Sequence, residues 1–161
     1  KKELLKKGKP PAQIATELSK LKARSVGKQR KNILVVGSDT TISFEGRLVE
    51  KAKTMIEAKK KIKMFSGKKH TITSAASAYY NNRLVWSNID KTTVKLRKIN
   101  NKEIDIYLKK TGNQILNCVG CYQVEKSGPN IIENIKGDFF NVMGFPLFSF
   151  LLFLKKLNIK K

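Results

Sequence analysis

Four consecutive apolar residues, Ile33-Leu34-Val35-Val36, run directly into Gly37-Ser38-Asp39. A continuous β-branched run of this kind reads as a strand buried on both faces. Two neighbouring segments read as helices. Residues 12–28 follow a Pro10-Pro11 start and carry Ile14, Leu18, Leu21 and Ser25 at helical spacing, with Gly27 as a stop. Residues 54–65 repeat the pattern with Met55, Ile56, Ala58, Ile62 and Phe65 inward and Lys59, Lys60, Lys61 and Lys63 toward water.

Between and beyond these helices lie strand signals. Residues 41–44, 70–78, 84–87 and 92–96 read as strands, with Glu45-Gly46 and Asn81-Asn82 as turns. Residues 101–110 read as a helix ended by Thr111-Gly112. Residues 120–125 are strand-like, 131–135 helix or strand, and 139–157 a loop followed by a helix near Pro146. Residues 1–9 form a basic, helix-compatible lead. Helices and strands alternate without a long linker, so the fold expected is α/β with a mixed sheet and flanking helices, one domain over residues 1–161. Met143 to Leu154 is the richest apolar stretch; it is too short to span a membrane, and its leucines and phenylalanines are expected in the core.

The chain carries 34 Lys and Arg against 12 Asp and Glu, a formal charge of +22. That excess attracts phosphates, nucleic acid and acidic membranes. Of the basic residues 29 are Lys and 5 are Arg, which equally fits a general drift toward Lys, Ile and Asn; base reading leans on Arg. Cys118 and Cys121 cannot make a disulfide framework and read as reduced thiols of a cytosolic protein. Their CxxC spacing lacks the second pair of a zinc site and is taken as coincidental. The one histidine, His70, has no nucleophile in a triad-like context and is read as structural. The residues before position 8 lack the apolar segment of a signal peptide, and the first residue is Lys1 rather than Met.

Asp39 is the strongest chemical candidate. At the carboxyl end of a buried strand it could hold a divalent cation or take a proton from water; the same position also suits an Asp capping a turn. Lys22 on a helix and Lys51 on a loop could each meet a phosphate, though among 29 lysines position alone does not select them.

Six segments in order resemble the Maf family of nucleoside triphosphate pyrophosphatases. They are Leu18-Ser19-Lys20-Leu21-Lys22-Ala23, then Val35-Val36-Gly37-Ser38-Asp39-Thr40, then residues 46–52 around Lys51. Residues 65–74 around Ser66-Gly67 and His70, Gly120-Cys121-Tyr122-Gln123-Val124-Glu125, and residues 135–147 follow. The resemblance covers nearly the whole chain and is nearest to alphaproteobacterial members. It implies an elongated, two-lobed Maf/ITPase-like architecture with a central cleft, often dimeric. It implies that Asp39 is the catalytic acidic residue and approaches a divalent metal, Mg²⁺ or Mn²⁺. Lys22 and Lys51 match phosphate-facing lysines, and Thr40 and Gln123 match positions tied to base selection. Thr40 fits the subgroup resembling dTTP/UTP enzymes.

The implied reaction is attack of water on the α-phosphate, releasing nucleoside monophosphate and pyrophosphate. It is a cytoplasmic, house-cleaning hydrolysis with a nucleoside triphosphate as partner and neither a specific nucleic acid nor a membrane. Ala52 stands where the family has Pro. The family's opening strand and Ser/Arg phosphate loop have no match before Lys1, so the expectation is an N-terminally truncated domain with an unpaired sheet edge. The competing expectation is a catalytically silent relative that binds nucleotide or nucleic acid through its basic surface.

Overall fold

Pro10 and Pro11 open the first helix because a proline in the first turn forfeits no helical hydrogen bond. In the computed structural model, which describes residues 9–157, helix α1 runs Pro11–Gly27. The basic lead over residues 1–9 lies almost wholly outside the described residues. Strand β1 (Leu34–Phe44) and strand β2 (Arg47–Val49) form a hairpin across Glu45-Gly46, whose φ values of 50° and 77° give the left-handed turn that hairpins favour. Helix α2 (Met55–Phe65) is capped by Thr54, whose hydroxyl accepts from the Glu57 amide. Strands β3 (Lys69–Tyr80) and β4 (Arg83–Leu96) form a long hairpin around Asn81-Asn82, again with positive φ at both turn residues.

Helix α3 (Asn101–Thr111) starts with a reciprocal capping box between Asn100 and Glu103. Two 3-10 turns, Gly112–Asn117 and Gly128–Asn130, frame an irregular loop. Strand β5 (Ile132–Lys136), the short helix α4 (Phe139–Met143) and helix α5 (Leu147–Lys156) close the described chain.

The strand order is β2-β1-β3-β4-β5, and each pairing is antiparallel. The α/β class holds, but among the described strands the sheet is antiparallel where a mixed one is expected. Parallel neighbours need a crossover between them. Here β1–β2 and β3–β4 are tight hairpins, and the longer connections also return their strands antiparallel. The strand-like stretch at residues 120–125 is instead turn and bend. The pairs of short strands expected at 33–36 with 41–44, and at 84–87 with 92–96, are single strands, β1 and β4.

Helix α1 covers one face of β1 and β3. Its buried residues are Ile14, Ala15, Ser19, Ala23 and Gly27, so the inward stripe is the small residues at four-residue intervals. Leu21, expected inward, is 56% exposed. Small side chains let the helix settle close to the strands; a Cβ on Gly37 would lie 2.4 Å from the Ser19 carbonyl oxygen and 2.5 Å from the Ala23 nitrogen. The opposite face carries the main core. Ile42, Phe44, Ile72, Val94 and Leu96 from the sheet meet Ala58, Ile62 and Phe65 of α2 and Ile104, Tyr107 and Leu108 of α3.

Further along that face α4 packs on β3 and β4, and α5 on β4. Buried Asn141 of α4 fastens the pair: its Oδ1 accepts from the Ser74 amide and its Nδ2 donates to Thr92 Oγ1. The gap between these two groups of helices lies over Thr40, Ile42 and Ile72. No described helix is long and apolar enough to cross a membrane.

Candidate active site

That gap is a cavity of about 320 Å³, a size that suits a small-molecule ligand. Lys22, Asp39, Thr40, Lys51 and Gln123 all line it. The structure therefore brings together every residue that the sequence singled out for chemistry, from α1, β1, the loop after β2 and the loop after α3.

Asp39 is not at a strand end. It is the sixth of eleven residues of β1, opposite Ala75 of β3. The Gly37-Ser38 pair that suggests a turn is extended strand, and Gly37 is there because α1 crosses too closely for a side chain. Asp39 still reaches a cleft, because β2 pairs only with residues 42–44 of β1. Residues 34–41 have no described strand on that side. Alternation puts Gly37, Asp39 and Thr41 on the α1 face and Ser38, Thr40 and Ile42 on the other. The cavity wraps this open edge and takes lining residues from both faces.

Lys22 Nζ donates to Asp39 Oδ1 and to the Ser38 carbonyl, both at 2.7 Å. The lysine remains half open to solvent, whereas the Asp39 side chain is only 14% exposed. Asp39 Oδ2 is buried and has no hydrogen-bond partner. A carboxylate oxygen without a partner is costly to bury. Thr40 Oγ1 shares a hydrogen bond of 2.8 Å with Ser74 Oγ and faces the Gly144 carbonyl at 3.4 Å. Ser74 Oγ donates to the Asn141 carbonyl, so the Thr40 wall is tied to α4. Lys51 is exposed at the opposite rim, close enough to Cys118 for its charge to favour the thiolate there.

Gln123 lies in the loop between the two 3-10 turns. Its carbonyl accepts from the Gly128 and Lys126 amides, and a Cβ on Gly128 would sit 2.5 Å from that oxygen. Tyr122 beside it is buried, and its hydroxyl meets His70 Nε2 at 2.6 Å. His70 in turn stacks on Phe65 with ring centroids 4.3 Å apart. His70 is thus a core residue that backs the cavity wall. Burial pushes its pKa down to about 4, so the ring is neutral at pH 7. Both cysteines are free. Cys118 lines the cavity and Cys121 is buried under it, and burial pushes both thiols up.

Sequence reasoning passed over Tyr122, Glu125 and Lys61, which line or brace the same cleft. The first two fall inside the Gly120-to-Glu125 segment already noted, so their neighbourhood was a signal. Lys61 had none: it looks like one more wet lysine in a lysine-rich helix. Among the described residues no group of three or more His, Cys, Asp or Glu side chains converges into a metal cage.

The site is an open, cation-rimmed cleft beside a buried carboxylate, set in an antiparallel sheet between two helical groups. The family model described as Maf-like protein matches residues 1–157, and the chain belongs to the Maf family. It is 34% identical over 151 residues to a protein of Rhizobium meliloti (strain 1021) named 7-methyl-GTP pyrophosphatase, covering 94% of this chain and 76% of that one. It is 33% identical over 151 residues to a protein of Ruegeria pomeroyi named nucleoside triphosphate pyrophosphatase, with the same coverage. A 7-methyl-GTP pyrophosphatase of Bartonella quintana is 34% identical over 155 residues, 96% of this chain and 78% of its own length.

Proposed function

We propose that the protein is a nucleoside triphosphate pyrophosphatase: water attacks the α-phosphate, and nucleoside monophosphate and pyrophosphate leave. The observation that carries this reading is the buried, unpartnered Oδ2 of Asp39 in a cleft that Lys22 and Lys51 also line. Asp39 Oδ2 accepts the proton of the attacking water as the new P–O bond forms. Lys22 holds the carboxylate through Oδ1, gives a second donor to the Ser38 carbonyl, and offers its one remaining donor to a phosphate oxygen. Lys51 meets the polyphosphate from the other rim as a point charge. Charge that builds on the phosphate oxygens is offset by these ammonium groups. Ile42, Ile72 and Tyr122 give the base an apolar wall, and Thr40 and Gln123 supply its hydrogen-bonding edge.

A divalent cation fits this donor set in one way. Asp39 offers a single hard oxygen, and with no protein cage the remaining ligands would be substrate phosphates and water, which suits Mg²⁺ or Mn²⁺. Bound there, the cation would neutralise phosphate charge.

The same reading carries a cytoplasmic setting, where triphosphates are abundant and the free thiols stay reduced, and a homodimer. Two relatives are named for a methylated guanine nucleotide, whereas Thr40 resembles the dTTP/UTP subgroup. The test is pyrophosphate release from a panel that includes 7-methyl-GTP, dTTP and UTP with Mg²⁺ or Mn²⁺. Asp39→Asn keeps the side chain's size but cannot take the proton, and kcat is expected to fall about 10² to 10⁴-fold with little change in KM. Equal rates in wild type and variant would remove Asp39 from the mechanism.

A further inference from the structure

Two walls of the cleft are joined by one ammonium group. Lys61 lies on α2, half-buried, and its Nζ donates to the main-chain carbonyl of Glu50 and, at 3.1 Å, to that of Val119. Glu50 precedes Lys51, and Val119 precedes Gly120; Lys51, Val119 and Gly120 all line the cavity. Neither loop belongs to a strand, so each has few main-chain bonds of its own to hold it. An ammonium has three donors in a compact head, which suits the bridging of two carbonyls from separate segments.

The position is costly for a charge. Burial pulls the Lys61 pKa down, while Cys121, Glu57 and Glu50 facing it push it up. An apolar side chain would fill the same space on α2 without that penalty, so the amine needs a reason to be there.

We propose that Lys61 is a positioning residue: it straps the Lys51 loop to the Val119-Gly120 loop and so sets the width at which the cleft grips a polyphosphate. The role rests on the pyrophosphatase reading, but the strap itself does not. Lys61 does not touch the substrate; it acts through Lys51 and the loop opposite.

The variants are Lys61→Met, Lys61→Arg, Lys51→Ala and the double Lys61→Met with Lys51→Ala. Lys61→Met is expected to raise KM about tenfold while kcat stays within about threefold, and Lys61→Arg to restore most of the loss. In the Lys51→Ala background, Lys61→Met is expected to add little, because the group it positions is gone. Additive effects, or a Lys61→Met enzyme with wild-type KM, would overturn the proposal. Hydrogen exchange supplies a readout that needs no turnover. Amides at residues 50–54 and 117–121 should exchange faster in Lys61→Met, with β1 and β3 unchanged. Unchanged exchange in both loops sinks the strap, whereas faster exchange in Lys61→Met together with a wild type that lacks pyrophosphatase activity keeps the strap and sinks the enzymatic reading.

Discussion

At the scale of single residues, His70 and Asp39 are opposites. Both are shielded from solvent, and each has one atom without a partner, His70 Nδ1 and Asp39 Oδ2. His70 is 2% exposed and is enclosed by Phe65 and Tyr122. Its depressed pKa makes it a stability determinant with a definite sign. The unfolded imidazole protonates near pH 6.5 and the folded one near pH 4. Between those values the unfolded state binds more protons, so stability falls as pH drops through the window and levels off below it. The loss is about 3 kcal/mol, and above pH 6.5 there is none. Urea midpoints from pH 7 to pH 4 measure it. Carboxylates contribute in the acid part of the range, so the informative quantity is the difference from His70→Phe, which should lack this slope. Parallel curves for the two proteins would contradict a buried neutral ring. Asp39, by contrast, lines the cavity.

At the scale of elements, the contact between α1 and β1 sets the site. Ala15, Ser19 and Ala23 present a flat face, and Gly37 removes the one side chain that would lift the helix away. That closeness puts Lys22 Nζ at 2.7 Å from Asp39. A methyl group at Gly37 would meet backbone atoms rather than a movable side-chain tip. Gly37→Ala is therefore expected to cost about 3 kcal/mol by forcing α1 and β1 apart. A thermal melt compared with wild type measures it; a melt unchanged within a degree would mean that the helix has room to spare. The element scale also explains where reading by pattern fell short. Gly-Ser-Asp looks like a turn because those residues are common in turns. Here the glycine serves a close approach, and nothing local distinguishes the two uses. The hydrophobic spacing in α1 pointed to Leu18 and Leu21, but the helix buries its small residues, because its partner is a sheet face that demands proximity rather than volume.

At the scale of the whole molecule, two surface features remain. The chain carries a formal charge of +22, and most of its described lysines are exposed. The second feature is apolar. Phe148, Leu151 and Leu152 of α5 are half or more exposed, and none of that helix is buried, although its spacing suggested core. It is anchored through Trp86 of β4, which packs on Phe150 and Phe153. Leu84, Val85 and Ile89 of β4 are exposed as well. The exposed apolar side chains along α5 are of the kind that a partner surface covers. The homodimer proposed above is expected to cover it. Sedimentation should give twice the chain mass, and Leu152→Asp should shift the protein toward monomer. A wild type that sediments as a monomer at micromolar concentration would remove the dimer.

Sequence alone determined the elements with strong local signals. The two capped helices α2 and α3, the hairpin turns at Glu45-Gly46 and Asn81-Asn82, and the α/β class follow from periodicity, capping and turn chemistry, all of which act within a few residues. The ordered motifs carried the family and pointed to Asp39, Lys22, Lys51, Thr40 and Gln123. Tertiary structure decided the rest. Only packing joins 33–36 and 41–44 into one strand, turns α5 outward, makes the described sheet antiparallel, and brings Lys61 between two loops that lie 69 residues apart at Glu50 and Val119 (119 − 50). Those outcomes depend on which surfaces meet across the sheet, and contacts over such separations leave no period in the chain that makes them.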